Sequence, residues 1–286
     1  MQEAIPLVYW NVPNFGDMLS PYIVNKISGM NIKHKECYRG RKYIVTETIK
    51  RLIGYVDKSL DSINYPYQHN VLAIGSILAW GNGNSYIWGS GFMNCYDTFK
   101  GDNTLAVRGK LSDLKLQRMG FKGCAIYGDP ALLLPKIYTP KFTLKYKYGI
   151  IPHIIETDYF KERYSNCKII DLRNKDVEFI IEEICSCKVV LSTSLHGIIV
   201  AHAYGIPALW IKKHYINTDG FKFLDYFSSV GIADYTGIDN IDEFINKEFK
   251  IEELFHRHKE FSLPNNKLLG QIQTQLLEVA PFNIII

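Results

Sequence analysis

Val189-Val-Leu-Ser-Thr-Ser-Leu-His-Gly-Ile-Ile-Val-Ala-His-Ala-Tyr-Gly-Ile-Pro-Ala-Leu-Trp-Ile211 is the stretch whose reading decides the fold. Val189 to Leu191 is an apolar strand. Three hydroxyl residues, Ser192 to Ser194, follow it directly. Leu195 to Tyr204 is an apolar helix stopped at Gly205-Ile-Pro207, and Ala208 to Ile211 is a second strand. Strand, loop, helix and strand in that order are the mark of a parallel sheet covered by helices.

Outward from this unit the alternation continues in both directions. Toward the N-terminus, strands are expected at Ile5–Trp10, Val71–Ile74, Tyr86–Trp88, Thr104–Arg108 and Ala125–Tyr127, with helices at Leu19–Ser28 and Lys110–Met119. Pro135 to Lys147 is polar, carries two prolines and reads as a linker. Beyond it come strands at Tyr148–Ile151 and Lys168–Asp171 and a helix at Asp176–Cys185, whose Val177, Ile180, Ile181 and Ile184 share one face. The last part reads as helical at Phe221–Val230, Ile241–Asn246, Ile251–Phe261 and Leu268–Val279. The expectation is an α/β protein of two Rossmann-like domains, residues 1–140 and 141–286, with an interdomain cleft and C-terminal helices that cross back onto the first domain. Ligands of such sheets sit beyond the carboxyl ends of the strands.

Composition narrows the class. With 47% hydrophobic and 22% charged residues, the 286-residue chain is an ordinary globular protein. A net charge of +4, read as spread along the chain, lacks the basic stripe of a nucleic-acid binder. The densest basic run, Lys141 to Lys147, alternates with apolar residues like a strand edge or linker. No secretory signal and no apolar run of about 18 residues occurs, so a cytoplasmic protein with reduced cysteines is expected. The Ile-rich tail, Ile284 to Ile286, is expected to pack on the body, with a peripheral membrane contact as the alternative. Six cysteines without a CxxC pair do not make a metal site.

Chemistry concentrates where strands end. A helix N-terminus leaves backbone N–H groups unpaired and carries about half a positive charge, which seats phosphate or carboxylate. Ser192 and Ser194 belong to such a seat, with Ser194 as N-cap and Gly197 open to close approach by a ligand. His196 in the first turn would face the cleft and serve as acid or base. The plainer reading is a capped core helix with an incidental histidine; His202, deeper in that helix, reads as structural. Arg108 ends a strand and could grip an anion with two parallel hydrogen bonds, or pair with Asp113. Gly128-Asp-Pro130 reads as an N-cap followed by a first-turn proline. Asn14-Phe-Gly-Asp17 reads either as a turn in which Asp17 caps a helix, or as a loop opening on the cleft. Gly75, Gly89 and Gly91 end strands. Lys222 begins a helix and is either solvated or turned to an anion.

Taken together, Asn14-x-Gly-Asp17, the strand into Gly75, Trp88-Gly-Ser-Gly91, Val107-Arg108 with Ser112, Gly128-Asp-Pro-Ala131, Pro152-His153, Ser194-Leu-His-Gly197 with Ala203-x-Gly-x-Pro207, and Lys222-Phe with Asp225-Tyr-Phe227 resemble the polysaccharide pyruvyl transferase family. The resemblance implies a GT-B-like fold. It also implies transfer of pyruvate from phosphoenolpyruvate onto two hydroxyls of one sugar, closing a cyclic ketal during surface polysaccharide biosynthesis. By it His196 is catalytic and Arg108 and Lys222 bind phosphoenolpyruvate, and the anion seat read above at Ser192, Ser194 and Gly197 becomes part of the same donor site. Asn14, Asp17, Gly75 and His153 become candidates for the cleft and the acceptor, with His153 the second choice of acid–base. The implied partners are the donor and a sugar or lipid-linked oligosaccharide acceptor, with no metal and no cofactor. Neither the acceptor sugar nor an oligomeric state is named by it. One departure is Gly109, where many members carry an acidic residue. The chain is also short for the family, which implies a trimmed acceptor side. The alternative is a nucleotide-sugar glycosyltransferase of GT-B type. Many of those hold the donor ribose with a glutamate seven residues before the segment's proline, and Val200 stands at that position here.

Overall fold

Apolar runs too short for helices and bounded by glycine or polar residues form two parallel sheets. The computed structural model describes residues 4–101, 103–213, 216, 218–245 and 248–286. The first sheet takes β1 (Ile5–Val8), β2 (Ile32–Lys35), β3 (Asn70–Leu72), β4 (Ser85–Trp88) and β5 (Thr104–Ala106) in the order β2-β1-β3-β4-β5. The second takes β6 (Gly149–Ile151), β7 (Val190–Ser192) and β8 (Ala208–Trp210) in sequence order. Every pairing of these strands is parallel. Helices cover them: α1 (Phe15–Ser28), α2 (Arg41–Leu52), α3 (Lys110–Arg118), α4 (Leu134–Ile137), α5 (Thr157–Arg163), α6 (Val177–Cys185), α7 (Leu195–Ala203), α8 (Phe221–Val230), α9 (Glu248–Arg257), α10 (Lys259–Ser262) and α11 (Asn266–Glu278). The expected α/β class with a parallel sheet is what folds. No helix among the described residues is long and apolar enough to cross a membrane.

Several elements differ from expectation for local reasons. Helix α1 begins at Phe15 rather than Leu19, because Asn14 is its cap and accepts from Gly16 N. Asp17 is therefore a first-turn residue, held by Asn14 Nδ2 at 2.6 Å. The strand expected at Ala125–Tyr127 shrinks to one bridge between Val107 and Tyr127, since Ala125 has a φ of +54° that no ladder tolerates. Lys168–Asp171 likewise keeps one bridge, Ile150 to Ile169, because the Asp171 carboxylate turns the chain by accepting Arg173 N. The helix over Ile251–Phe261 breaks at His258 into α9 and α10. Ile241–Glu243 is a single 3-10 turn, and Asn246 lies outside the described residues. Strand β2 and helices α2 and α5 were not anticipated.

One hydrophobic core runs through both sheets. It joins Phe15, Leu19, Val71 and Trp88 to Ile151, Ile198, Val200 and Tyr226. The final helix does cross back: Trp88 Nε1 donates to the Leu276 carbonyl at 2.8 Å, and Gln273 Nε2 to that of Leu132 at 2.7 Å. The tail packs on the body through Ile285 N, which donates to Ile27 O at 2.9 Å.

A buried ion pair fastens α8 to the first sheet. Arg108 and Asp225 are both withdrawn completely from solvent. Arg108 Nε donates to Asp225 Oδ2 at 3.0 Å, while Ser112 N and Oγ each donate to the same carboxylate at 2.7 Å. The pairing with Asp113 that the sequence suggested does not form; Asp113 instead accepts from Cys124 N, Gln117 and Tyr127. Two glycines make room for the pair. A Cβ on Gly91 would stand 2.5 Å from Arg108 Cζ, and one on Gly109 only 1.7 Å from the Asp225 carbonyl oxygen. The family's acidic residue after the arginine cannot fit at Gly109 in this arrangement, and Asp225 supplies the carboxylate from across the chain.

Removing one partner of a buried pair strands the other, at a cost of about 3–5 kcal/mol. Asp225→Ala should lose stability of that order in urea unfolding followed by circular dichroism; a loss below about 1 kcal/mol would mean that water reaches Arg108.

Candidate active site

The hydroxyl run after β7 builds the floor of the site. Ser192 is fully buried, and its Oγ lies 2.8 Å from both the Ile151 and Ser194 carbonyls while accepting Ser194 N at 3.0 Å. Ser194 has the extended backbone of an N-cap but makes no side-chain capping bond. Gly197 is glycine for packing: a Cβ there would meet Ser192 Oγ at 2.6 Å and Ile151 Cγ2 at 2.8 Å. These contacts set α7 tight against β6 and β7 and present its first turn.

His196 stands in that turn, 15% exposed. Its ring occupies the space above Gly16, where a Cβ would come 2.2 Å from Nδ1. Its Nε2 has no hydrogen-bond partner among the described residues and points toward Asp129 Oδ2, 3.8 Å away. Asp129 does cap the turn it begins, through Oδ1 to Ala131 N at 2.9 Å, which leaves Oδ2 for the histidine side. Burial pushes the Asp129 carboxyl up to about 7, against the pull of the Ala131 N–H and of Arg108. Burial pushes the His196 imidazole down to about 3, helped by the charges of Arg108, Lys222 and His153.

Lys222 comes from α8, one turn before Asp225, so the ion pair that seats α8 also places it. It is 4% exposed and makes no hydrogen bond or ion pair among the described residues. Burial and then Arg108 lower its pKa to about 8, against the opposing charge of Glu156. Glu156 is itself buried and accepts from Thr193 Oγ1, which in turn accepts His153 N at 2.7 Å. Burial and Lys222 hold the His153 ring down at about 4. Arg108 is enclosed. Its Nη1 donates to Ser76 Oγ at 2.7 Å and its Nη2 to the Phe92 carbonyl, so the two-pronged grip expected of it is taken by Asp225.

Among the residues singled out from sequence, His196, Lys222, His153 and Arg108 therefore share one electrostatic neighbourhood. Asn14 and Asp17 flank Gly16 under the His196 ring, and burial raises the Asp17 carboxyl to about 7. Gly75, with a φ of +111°, turns the chain so that Ser76 meets Arg108. His202 is structural as expected, with Nδ1 on Tyr226 OH at 3.0 Å and Nε2 on Ser262 O at 3.1 Å. Sequence reasoning missed Glu156 and the outward oxygen of Asp129, and it quoted Thr193 and Asp225 within motifs without giving either a role. A cavity of about 420 Å³ opens beside Gly220 and Phe223 at the end of β8. Another of about 400 Å³ opens at the ends of β1 and β2, walled by Tyr9, Trp10, Tyr43 and Trp80. Among the described residues no group of three His, Cys, Asp or Glu is placed to hold a metal ion.

Gly16→Ala should drive the imidazole off its seat and into water. In an NMR titration the His196 ring would then protonate nearer 6.5 than 3; an unmoved titration would refute the contact. Asp129→Asn keeps the cap bond and removes only the carboxyl. Folded Asp129 holds its proton up to about 7, and an unfolded aspartate only to about 4. The folded state thus binds more protons across that window, so this carboxyl favours folding as pH falls through it. His196, His153 and His202, held down to about 3, 4 and 4, do the opposite below about 6.5. The variant should lose stability more steeply than wild type between about pH 6.5 and 4.5 in urea titrations; equal slopes would mean that Asp129 ionises normally.

An uncharacterized protein of Acanthamoeba polyphaga mimivirus is 32% identical over 185 residues, which are 60% of this chain; the match spans 63% of that protein's length. A crystal structure of an uncharacterized protein from Klebsiella pneumoniae aligns over 92% of this chain and 93% of its own, with a TM-score of 0.40 and 14% identity. Residues 14–215, which hold Asn14, Gly16, Arg108, Asp129, Glu156 and His196, match the family described as polysaccharide pyruvyl transferase, and the chain belongs to that family.

Proposed function

We propose that this transferase moves a pyruvyl group from phosphoenolpyruvate onto two hydroxyls of a sugar, in a cleft between a first domain of residues 1–140 and a second of residues 141–286 arranged in the GT-B manner. The observation that carries the reading is a buried lysine, Lys222, which has no hydrogen bond or ion pair among the described residues and lies close to the charge of Arg108. Lys222 and His196 are both depressed by burial and by Arg108, and His153 by Lys222. A ligand bearing a phosphate and a carboxylate relieves this repulsion and draws each of these groups toward its charged form. Lys222, whose ammonium lies over the Phe223 ring but has no hydrogen bond or ion pair among the described residues, meets the donor directly. Enclosed Arg108 acts through its charge and through the position it gives α8.

The bound anion raises the basicity of the His196 imidazole, which is neutral beforehand and so free to take a proton. Its free Nε2 accepts the proton of the first sugar hydroxyl as that oxygen bonds to the central carbon of the donor. The proton passes to the methylene carbon, which becomes methyl. The second hydroxyl bonds to the same carbon as the carbon–oxygen bond to phosphate breaks, and its proton leaves with phosphate. Asp129, 3.8 Å from Nε2, steadies the imidazolium formed on the way. The acceptor is assigned to the aromatic-walled cavity at the end of β1, whose lining ends at Val12, two residues before the Asn14 cap.

Purified protein with phosphoenolpyruvate and candidate glycosides should release phosphate and give a product heavier by the ketal, read by mass spectrometry. His196→Gln should lower kcat by about 10²–10⁴ with little change in the donor KM. Lys222→Met should raise the donor KM by about 10-fold or more, the worth of a charge-assisted hydrogen bond. Full turnover in the His196 variant would move the acid–base role to another group.

A further inference from the structure

Helix α2 shows solvent a face unlike the rest of the molecule. At about 100° per residue, Arg41, Lys42, Val45, Thr46, Ile49 and Leu52, with Ile53 just beyond, share an arc of about 140°. All of them are exposed, Val45, Ile49, Leu52 and Ile53 by 58, 53, 67 and 70%. The opposite arc packs inward through Ile44 and Arg51. No acidic residue lies on the outer arc. The acid of this helix, Glu47, is turned inward to Lys50 at 3.0 Å and Arg51 at 3.8 Å. Tyr55, 78% exposed, extends the apolar stripe past the helix end.

The surrounding charge is as lopsided. Residues 33–58 hold eight Lys and Arg against three Asp and Glu, a surplus of five, which exceeds the +4 of the whole chain. The positive charge is therefore concentrated here rather than spread. Arg39, Arg41 and Lys42 are exposed and have no ion pair among the described residues.

Large apolar side chains on an outer helix face, flanked by unpaired cations and free of acids, are what an interfacial helix needs to lie on charged lipid. We propose that α2 and the turn to Tyr55 dock this protein on an anionic bilayer. The stripe from Val45 to Ile53 enters the headgroup boundary, and Arg41 and Lys42 meet lipid phosphates. A second copy of the chain fits this face poorly, because the face offers Arg39, Arg41 and Lys42 no acidic partner in return. Docking also brings the aromatic-walled cavity to the membrane, since Arg39 and Tyr43 line it.

The test is co-sedimentation of the full chain with vesicles of phosphatidylcholine alone and of phosphatidylcholine mixed equally with phosphatidylglycerol. The protein should bind the mixed vesicles and not the neutral ones. Arg41→Gln and Lys42→Gln should each weaken binding about five-fold. Ile49→Gln, Leu52→Gln and Ile53→Gln combined should abolish it, with the melting temperature unchanged because these side chains are exposed. Equal sedimentation with both vesicles, no sedimentation with either, or binding indifferent to both sets of variants would overturn the proposal. So would a dimer by light scattering that the triple variant converts to monomer.

Discussion

The contact between Arg108 and Asp225 is the constraint on which the rest of the site depends. Each group gave up its water, which costs several kcal/mol per ion, and neither can be spared while the other is present. Their meeting requires bare backbone at Gly91 and Gly109 and a hydroxyl and amide at Ser112. The result is that α8 has one seat on the first sheet. Because Lys222 and Asp225 lie three residues apart on that helix, fixing the carboxylate also fixes the ammonium.

The second consequence is electrical. Arg108 is permanently charged and enclosed, so its field reaches His196 and Lys222 through protein rather than water. A positive charge that cannot leave holds down the basicity of nearby groups until an anion arrives. Packing gives His196 no alternative posture: Gly16 lies under the ring, and Nε2 faces Asp129. On the proposed reading, donor binding and activation of the histidine are one event.

Much of this was legible in the sequence, and the remainder was hidden for definite reasons. The β7–α7–β8 unit showed itself because its apolar runs, hydroxyl residues and Gly205-Ile-Pro207 stop are all local signals. His196 and Lys222 could be singled out by position near helix starts. What a linear reading could not supply was distance. Asp225 lies 117 residues beyond Arg108, while Asp113, five residues away, was the nearer guess and the wrong partner. Asp129 shows only its capping oxygen to a reader of motifs, and its other oxygen matters only because α7 packs alongside. Gly16 looked like turn chemistry when its real constraint is the ring above it. Helix α2 was missed because its outward arc is apolar and cationic at once, which satisfies neither the pattern of a core-facing helix nor that of a solvated one.

The bond from Trp88 to Leu276 spans most of the chain. Trp88 ends β4, an interior strand of the first sheet, and its indole must wait for a carbonyl made 188 residues later. During synthesis, at roughly 5–20 residues per second, the first sheet therefore spends on the order of ten seconds or more on the ribosome without its last covering helix. Phe282 stacks edge-on against the same indole at 5.1 Å, so even α11 alone leaves that surface partly open. A chain cut short anywhere before residue 276 would uncover the Trp88 indole at the end of an interior strand. Closure of the earliest-made half of the structure thus waits on residues 276 to 282.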